Sequence, residues 1–217
     1  MMGDVTMGEM PCHRLRRMGT PLRALGHRWS GVAALAALCL SLALPAPGAP
    51  ALLRPALPTC AGLQTTPPQA EGPYYRPNSP ERSSLLEPGM PGVRLTLAGY
   101  VLVRPCRPVA RAWLDFWQAD DRGQYDLAGY RLRGHTYTDA AGVYVLETIL
   151  PGVYPGRTRH VHVKVRAPGG PTLTTQLYFP GEAGNQTDRI FHPALLVALQ
   201  DAPAGRVGIF HFLLEGP

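Results

Sequence analysis

The chain has 217 residues, with 21 Lys and Arg against 15 Asp and Glu, and a formal net charge of +6. Its 45% of hydrophobic residues excludes wholesale disorder, and its 24 glycines and 24 prolines exclude a long-helix or coiled-coil protein. The length suits one domain with a tail, and so much Gly and Pro favours short strands joined by many turns.

The positive charge is uneven along the chain. Five arginines and two acids lie within residues 1–50, whereas the later basic residues are mixed with acids and include a single lysine, Lys164. A nucleic-acid binder usually shows a basic stripe or cluster on its folded part. The sequence therefore predicts no nucleic-acid partner.

Residues 1–58 are interpreted as a signal or leader segment that ends in a Pro-rich joint. An Arg-rich stretch precedes the apolar run GVAALAALCLSLAL at 31–44 and the small, Pro-rich PAPGAPA. These features are typical of a secretory signal, and the run is shorter than the about 20 apolar residues of a membrane-spanning helix. We expect an exported protein, periplasmic or extracellular, with no stable membrane span after leader removal. The alternative is an uncleaved amphipathic anchor.

Export bears on the four cysteines. Cys12 and Cys39 would leave with the leader, and the mature chain would keep Cys60 and Cys106. In an oxidising compartment this pair is a disulfide candidate, which would tie the N-terminal segment to the domain with about 2–4 kcal/mol of stabilisation. Two unpaired thiols are the alternative.

The mature chain divides into an irregular N-terminal arm at 59–92 and a β-sandwich domain at 93–217. The arm is rich in Pro and Ser, and its pair Tyr74 and Tyr75 suggests that it packs back on the domain. The domain contains six short runs rich in Val, Leu, Tyr and Thr, which favour an all-β sandwich or barrel of short antiparallel strands. The runs are VRLTLAGYVLV, VARAWLDFWQA, GVYVLETI, HVHVKVRA, TLTTQLYF and VGIFHFLL.

One segment near the C-terminus is expected to be a short helix. It is IFHPALLVALQ at 190–200, with Pro193 tolerated in the first turn. The rest of the domain shows no internal repeat, so the sequence predicts a single domain.

The most distinctive local pattern is RHVHVKV at 159–165. Strict alternation places His160, His162 and Lys164 on one face of a strand and three valines on the other. The valine face belongs to the core, so the histidine face looks at a pocket or at solvent. Two imidazoles on one side of a strand can chelate one metal ion, and an exposed polar face is the alternative.

Five blocks in the same order resemble the intradiol ring-cleavage dioxygenases, the protocatechuate and catechol dioxygenase family, from about Cys60 to Leu214. The resemblance implies a β-sandwich oxidoreductase of aromatic compound catabolism. Such an enzyme inserts both atoms of O2 into a catecholic ring and cleaves it between the two hydroxyl-bearing carbons, giving a muconate-type diacid. The blocks are EGPYY at 71–75, AWLDFWQADDRGQY at 112–125, AGVYVLETILPGVYPGRT at 141–158, HVHVKV at 160–165 and LTTQLYF at 173–179.

The resemblance also implies one Fe(III) per chain. Two phenolates and two imidazoles would bind it, and phenolates are hard anionic donors that suit trivalent iron, whereas the usual ferrous site has two His and one carboxylate. A nearby cation lowers the pKa of a phenol from about 10, so both tyrosines can bind as anions. The implied ligands are Tyr125, Tyr154, His160 and His162.

Three residues would act on the substrate side of the metal by the same resemblance. Tyr154 would be displaced by the catechol and accept one of its protons. Arg157 would stabilise negative charge that develops on the ring, and Gln176 would orient the substrate. The plainer alternatives are a solvent-exposed Arg on a turn and an amide at a sheet edge.

The sequence departs from the family in the short linker between Tyr154 and His160 and in lacking the helical N-terminal segment of catechol dioxygenases. No residue is identified that would bind a substrate carboxylate, so the catechol derivative stays open. The sequence does not decide the oligomeric state either, and a homo-oligomer is one of the options. Two other hypotheses remain. One is a non-catalytic transthyretin-like or carboxypeptidase-regulatory-like binding module. The other is a copper or zinc site on the histidines, which leaves Tyr125 and Tyr154 unexplained.

Overall fold

The computed structural model describes residues 54–59 and 61–216, in which ten strands form two sheets. Two short 3₁₀ helices, Ala183–Gln186 and Pro193–Leu195, join the strands near the C-terminus. The strands are β1 Arg94–Val103, β2 Arg107–Pro108, β3 Trp113–Trp117, β4 Arg133–Tyr137, β5 Val143–Ile149, β6 His160–Arg166, β7 Thr172–Tyr178, β8 Ala198–Ala202, β9 Gly205–Ile209 and β10 Phe212–Leu214.

The two sheets are built differently. The first is centred on the long strand β1 and has the order β10-β1-β9-β8, with β2 and β5 also paired to β1. The second is antiparallel and has the order β4-β3-β6-β7. Because β6 is an inner strand of this sheet, its side chains are held from both sides by neighbouring strands.

The hydrophobic core lies between the sheets. Val161, Val163 and Val165 on β6 are completely buried and belong to the same cluster as Leu95 and Leu97 on β1. The predicted assignment of the valine face to the core is therefore confirmed, as is the all-β sandwich. The alternation of β6 places its histidines on the outer face of the second sheet.

The helix predicted at 190–200 is only one 3₁₀ turn, Pro193–Leu195, and the chain then enters β8. Leu196 already has extended backbone with ψ 130. Leu195 and Val197 are buried while Leu196 is half-buried, so this stretch follows a two-residue period. The apolar run therefore forms an extended core segment. The composition of so short a run does not distinguish an extended segment from a helix.

The arm crosses the outer face of the second sheet from one edge to the other. Its described part, residues 61–92, contains isolated bridges but no strand. Gln69 N donates to Thr174 O on the edge strand β7 (2.8 Å), and Arg82 N donates to His135 O on the opposite edge strand β4 (2.8 Å). The face that carries the histidines is thus covered by this arm.

Several predictions concern residues outside the described part of the chain. The leader at 1–58 falls almost wholly there, as does Cys60; Cys106 itself is disulfide-bonded. Within the described residues, no helix is long and apolar enough to cross a membrane.

Candidate metal centre

Sheet register places two predicted site residues side by side. Trp117 on β3 pairs with His162 on β6, and His162 pairs with Gln176 on β7. All three are at most 1% exposed. Arg133 on β4 pairs with Trp117 and completes a row of four side chains on the outer face. His160 lies on the same face at the start of β6.

The two tyrosines are carried by loops that contact each other closely. Tyr125 ends a turn organised by Asp120, whose Oδ1 accepts from Gln124 N at 2.9 Å. Gly123 in this turn has φ +81, and a Cβ there would lie 2.2 Å from the carbonyl oxygen of Val153, the residue before Tyr154. Only glycine permits this approach, which brings both tyrosine-bearing loops to the N-terminal end of β6, where His160 lies.

The four predicted ligands converge. The Nε2 atoms of His160 and His162 are 3.2 Å apart, and the Tyr154 hydroxyl lies 3.3 Å from His160 Nε2. The Tyr125 ring centroid is 5.9 Å from that of Tyr154 and 6.3 Å from that of His162. Two imidazoles and two phenols thus face one small volume.

Burial keeps the two imidazoles neutral. It lowers the pKa of His160 to about 4 and that of His162 well below the usual value, and the Arg157 charge acts in the same direction. His160 Nδ1 lies 2.6 Å from the carbonyl oxygen of Thr158. Since a carbonyl can only accept a hydrogen bond, Nδ1 carries the proton. The lone pair of Nε2 is then free to bind a metal ion and faces the other predicted ligands.

The phenols fit a strongly charged metal ion. The Tyr125 hydroxyl is buried without a hydrogen-bond partner among the described residues, and burial together with the Tyr154 charge raises its pKa. Such an oxygen is satisfied when it binds a cation. No described group of three or more His, Cys, Asp or Glu is placed to hold a metal, so this donor set depends on the phenols. Two neutral imidazoles with two phenolates suit Fe(III).

Arg157 reaches both Tyr154 and Gln176. Its Nη1 donates to the Tyr154 hydroxyl (3.4 Å), its Nη2 donates to Gln176 Oε1 (2.5 Å), and its Nε donates to Asp188 Oδ2 (2.9 Å). Its side chain is 18% exposed, so it is not a solvent-exposed Arg on a turn. The geometry places a permanent cation, the Arg157 guanidinium, beside the Tyr154 hydroxyl.

Gln176 lies on the edge strand β7 but is completely buried, so it is not the exposed sheet-edge amide of the alternative. Its Nε2 donates to Ala70 O (2.8 Å), while its Oε1 accepts from Arg157 and from the Tyr178 hydroxyl (3.1 Å). Its amide is therefore engaged by protein groups on both sides. These contacts hold Arg157 and the arm in place, and the role of Gln176 in orienting a substrate stays a prediction.

The sequence reasoning missed the residues that enclose the centre. The Tyr74 ring stacks on Tyr125 at 4.3 Å and 19°, and Trp117 stacks on His162 at 4.8 Å and 8°. Gly72 lies so close that a Cβ there would be 3.3 Å from His162 Cε1. The EGPYY block was the available signal for the arm residues, whereas the stacking of Trp117 follows from strand register.

Arg133 was also missed, and no local signal marks it. It is 2% exposed, its Nη1 donates to Tyr74 O (2.7 Å), and its guanidinium carbon lies 5.8 Å from the Tyr125 ring centroid. It thus contacts both residues of the ring stack, Tyr74 through its backbone and Tyr125 through its ring. The other histidines among the described residues contact protein groups elsewhere: His135 contacts Ser79, His192 the backbone of Ala194 and His211 the backbone of Tyr100.

A family model described as "Dioxygenase" matches residues 70–202. Among curated proteins, the chain is 30% identical over 135 residues to catechol 1,2-dioxygenase of Candida albicans, covering 49% of this chain and 45% of that protein. It is 34% identical over 118 residues to the protocatechuate 3,4-dioxygenase beta chain of Burkholderia cepacia, covering 46% and 50%. The chain thus spans about half the length of the curated relatives it matches.

Solved structures agree with these sequence matches. The dioxygenase domain of a dioxygenase carbohydrate-binding protein fusion from Streptomyces sp. SirexAA-E is 55% identical, with a TM-score of 0.70, covering 71% of this chain and all of that domain. The 3-chlorocatechol 1,2-dioxygenase from Rhodococcus opacus 1CP is 28% identical, with a TM-score of 0.66, covering 70% and 73%. Together with the extent of the family match, these similarities show that the chain belongs to the intradiol ring-cleavage dioxygenase family.

Proposed function

We propose that this protein is a non-haem Fe(III)-dependent intradiol dioxygenase that acts on a catecholic ring with O2 as co-substrate. One observation carries the proposal: two neutral imidazoles and two phenols converge, and the buried Tyr125 hydroxyl has no partner among the described residues. Both oxygen atoms would enter the product, so that catechol and O2 together account for every atom of a muconate-type diacid.

Tyr125, Tyr154, His160 and His162 would hold the iron. Ferric iron held there would supply Lewis acidity toward the catechol and the redox chemistry of its reaction with O2. The protein contributes ligand geometry, neutral imidazoles and a covered site, and these are what its own residues can be tested for.

Tyr154 is the better placed of the two phenols to be displaced and to accept a catechol proton at its hydroxyl oxygen. It is half-buried on a turn with exposed Pro155 and Gly156, and a side chain at Gly156 would meet nothing within 4 Å. Tyr125 in contrast is held by the Tyr74 stack and by Arg133. A catechol must lose two protons on binding, and the Tyr154 phenolate is a base for one of them.

Arg157 stabilises the negative charge that the deprotonated ring carries during oxygen attack. Its guanidinium is positioned by hydrogen bonds on three sides, from its contacts with Tyr154, Gln176 and Asp188. Because it is held in place before the reaction, little reorganisation is needed when charge develops. The names of the relatives support catechol, hydroxyquinol or protocatechuate as the substrate class.

We also propose that the mature protein acts outside the cytoplasm. The proposal is supported by the leader-like composition of residues 1–58 and by the disulfide-bonded state of Cys106. Fractionation of expressing cells, with sizing of the processed chain, tests it; a full-length chain in the cytoplasm would overturn it.

The test of the enzymatic function is the visible absorption spectrum of the purified protein loaded with ferric iron, before and after anaerobic addition of a catechol. We expect a broad tyrosinate-to-iron band that shifts with catechol, and ring-cleaved diacid once O2 is admitted. The double variant Tyr125→Phe/Tyr154→Phe should lose the band, whereas Tyr137→Phe should keep it. A colourless wild type that holds no iron overturns the proposal. No observation favours the non-catalytic binding module as a second candidate.

A further inference from the structure

Asp188 is a buried carboxylate to which neither the sequence motifs nor the proposed iron ligands assign a role. It follows the 3₁₀ helix Ala183–Gln186, and its side chain is 2% exposed. A charged side chain is rarely buried unless it is paired and fully hydrogen-bonded. The hydrogen-bond partners of Asp188 therefore indicate its role.

Among the described residues the Asp188 carboxylate accepts three hydrogen bonds, and two of them come from adjacent residues just before β6. Its Oδ2 accepts from Arg157 Nε (2.9 Å) and from Thr158 N (2.9 Å). Its Oδ1 accepts from Ile190 N (3.1 Å), which anchors the carboxylate to its own loop. These charge-assisted hydrogen bonds favour the ionised form, and they keep the pKa of Asp188 below its usual value although burial raises it.

The contact with Arg157 determines the direction of its guanidinium. With Nε held by Asp188, the two remaining nitrogens donate to the Tyr154 hydroxyl and to Gln176 Oε1. A guanidinium is planar, so three contacts in different directions define both its position and its plane. Without the Asp188 contact, rotation about the side-chain bonds would be limited only by the other two.

The contact with Thr158 extends the effect to His160. Asp188 holds Thr158 N, while the carbonyl oxygen of Thr158 lies 2.6 Å from His160 Nδ1. That carbonyl sets the tautomer and the ring orientation of an imidazole whose Nε2 is a proposed iron ligand. The Asp188 carboxylate thereby orients the Arg157 guanidinium directly and the His160 imidazole through Thr158.

We propose that Asp188 is a positioning residue of the proposed reaction, acting through Arg157 and through the Thr158 contact with His160. This inference rests on the proposed function, because the direction of Arg157 matters only if charge develops on a bound ring. A positioning role and a purely electrostatic role predict opposite effects on kcat when Asp188 is neutralised. A carboxylate beside Arg157 offsets its positive charge, so charge alone predicts that removing Asp188 would help the reaction, whereas positioning predicts a loss.

The chain offers a matched control in Arg159 and Glu182. Arg159 Nε donates to Glu182 Oε1 at 2.8 Å, and the side chains are 21% and 25% exposed. This is also an Nε-to-carboxylate pair, two residues further along the chain, and its described hydrogen bonds do not reach Tyr154 or Gln176. Asp188→Asn and Glu182→Gln therefore each neutralise one carboxylate of an Arg pair.

The experiment compares the iron-loaded wild type with Asp188→Asn, Glu182→Gln, Arg157→Gln and Asp188→Asn/Arg157→Gln. For Asp188→Asn we expect kcat to fall about 10- to 100-fold, while anaerobic catechol affinity, read from the shift of the visible band, changes less than about threefold. In the Arg157→Gln background, Asp188→Asn should lower kcat by a smaller factor than in the wild type, because only the contact through Thr158 to His160 is then left to lose. Glu182→Gln should match the wild type.

A second readout does not depend on turnover. In ¹⁵N spectra the Arg157 Nε–H signal should be protected from solvent exchange in the wild type and in Glu182→Gln, and should lose that protection in Asp188→Asn. Should Asp188→Asn not fold, Asp188→Glu replaces it, since it keeps the charge but displaces the carboxylate by one methylene. A smaller loss of kcat is expected for it.

The outcomes separate this inference from the proposed function. An active wild type with unchanged or increased kcat in Asp188→Asn, or with fully additive effects of Asp188→Asn and Arg157→Gln, overturns the positioning role alone. A wild type with no iron band and no ring cleavage overturns the proposed function and this inference with it.

Discussion

The two ends of one sheet face differ sharply although the same strands form both. At the candidate metal centre, the row Arg133, Trp117, His162 and Gln176 is at most 2% exposed. At the other end, the corresponding row of Tyr137, Trp113, Arg166 and Thr172 is half-buried or exposed. Strand alternation places all eight on the outer face.

The arm accounts for the difference. Between the two rows it is attached at Asp115, which accepts from the Tyr75 hydroxyl (3.1 Å) and the Ser79 hydroxyl (2.7 Å), and at Lys164, which pairs with Glu71. Tyr75 also packs on Trp117 at 4.8 Å. The covered row loses contact with water, which keeps the His162 imidazole neutral, while the uncovered row remains an ordinary sheet surface in contact with solvent.

The largest expected effect is the loss of iron from the covered end of β6. His160→Ala should lose bound iron and lower turnover roughly 1,000-fold or more, because the metal supplies several kcal/mol of transition-state stabilisation. Arg166→Ala, at the exposed end of the same strand, should change neither. Iron content and O2 uptake measure both, and full turnover in His160→Ala would falsify its assignment as a ligand.

Removing a loop-borne phenol should separate turnover from iron binding. Tyr154→Phe is expected to lower kcat about 100- to 10,000-fold, the usual contribution of a positioned proton acceptor, while Tyr125 and the two imidazoles retain most of the iron. Tyr137→Phe in the uncovered row is the control. Iron analysis with single-turnover kinetics tests this, and complete loss of iron from Tyr154→Phe would contradict the division of roles.

Two arm glycines test whether close cover by the arm matters to the site. Gly72 and Gly89 have φ +73 and +74, but a Cβ at Gly72 would lie 3.3 Å from His162 Cε1 and one at Gly89 would meet nothing within 4 Å. Alanine should destabilise the protein by roughly 1–2 kcal/mol at either position through backbone strain. Gly72→Ala should add about 1 kcal/mol and shift the visible band, because the arm or His162 must move.

Chemical unfolding and the iron-loaded spectrum of these two variants provide the measurement. Equal stability losses together with identical visible bands would show that the arm covers His162 without close packing, and would weaken the explanation given for the two rows.

The smallest expected effect concerns the attachment of the arm at Asp115. Burial raises the pKa of Asp115 in spite of its hydrogen bonds with Ser79 and Tyr75. A carboxyl with a raised folded-state pKa contributes stability that is fully present below its unfolded value and declines as the pH rises through the folded value. The stability advantage of wild type over Asp115→Asn should therefore be largest in acid and shrink as the pH rises.

Urea unfolding of the iron-free proteins at a series of pH values measures this difference. An advantage of the wild type that grows with rising pH would mean that the hydrogen bonds outweigh burial at Asp115.

Much of the site could be predicted from the sequence because its donors occur in local patterns. Alternation in β6 predicted a histidine face and a valine face, and both are observed. The two tyrosines came from the resemblance, since a tyrosine at a strand end has no local mark that separates a ligand from a rim residue. Only the proximity of the Gly123 and Val153 loops brings them together.

Other features could not be predicted because they depend on contacts between distant parts of the chain. Asp188 contacts Arg157 across 31 residues, and Arg133 contacts Tyr74 across 59. The apolar run at 190–200 was wrongly expected to form a helix, because its pattern suits either a buried helix or an extended core segment. Packing against the core decided for extended backbone.

The sequence by itself determined the β class, the inward valines of β6 and its histidine face, and its five blocks carried the resemblance that implied the family and the other candidate donors. The first three depend on side-chain chemistry and on a two-residue period, and the blocks are short stretches of sequence, so all of these are local properties. The tertiary structure decided which end of the outer face of the second sheet the arm covers. It also decided which nitrogen of His160 faces the other predicted ligands and which carboxylate orients Arg157. Burial and its effect on pKa arise from long-range packing, and no local pattern encodes them.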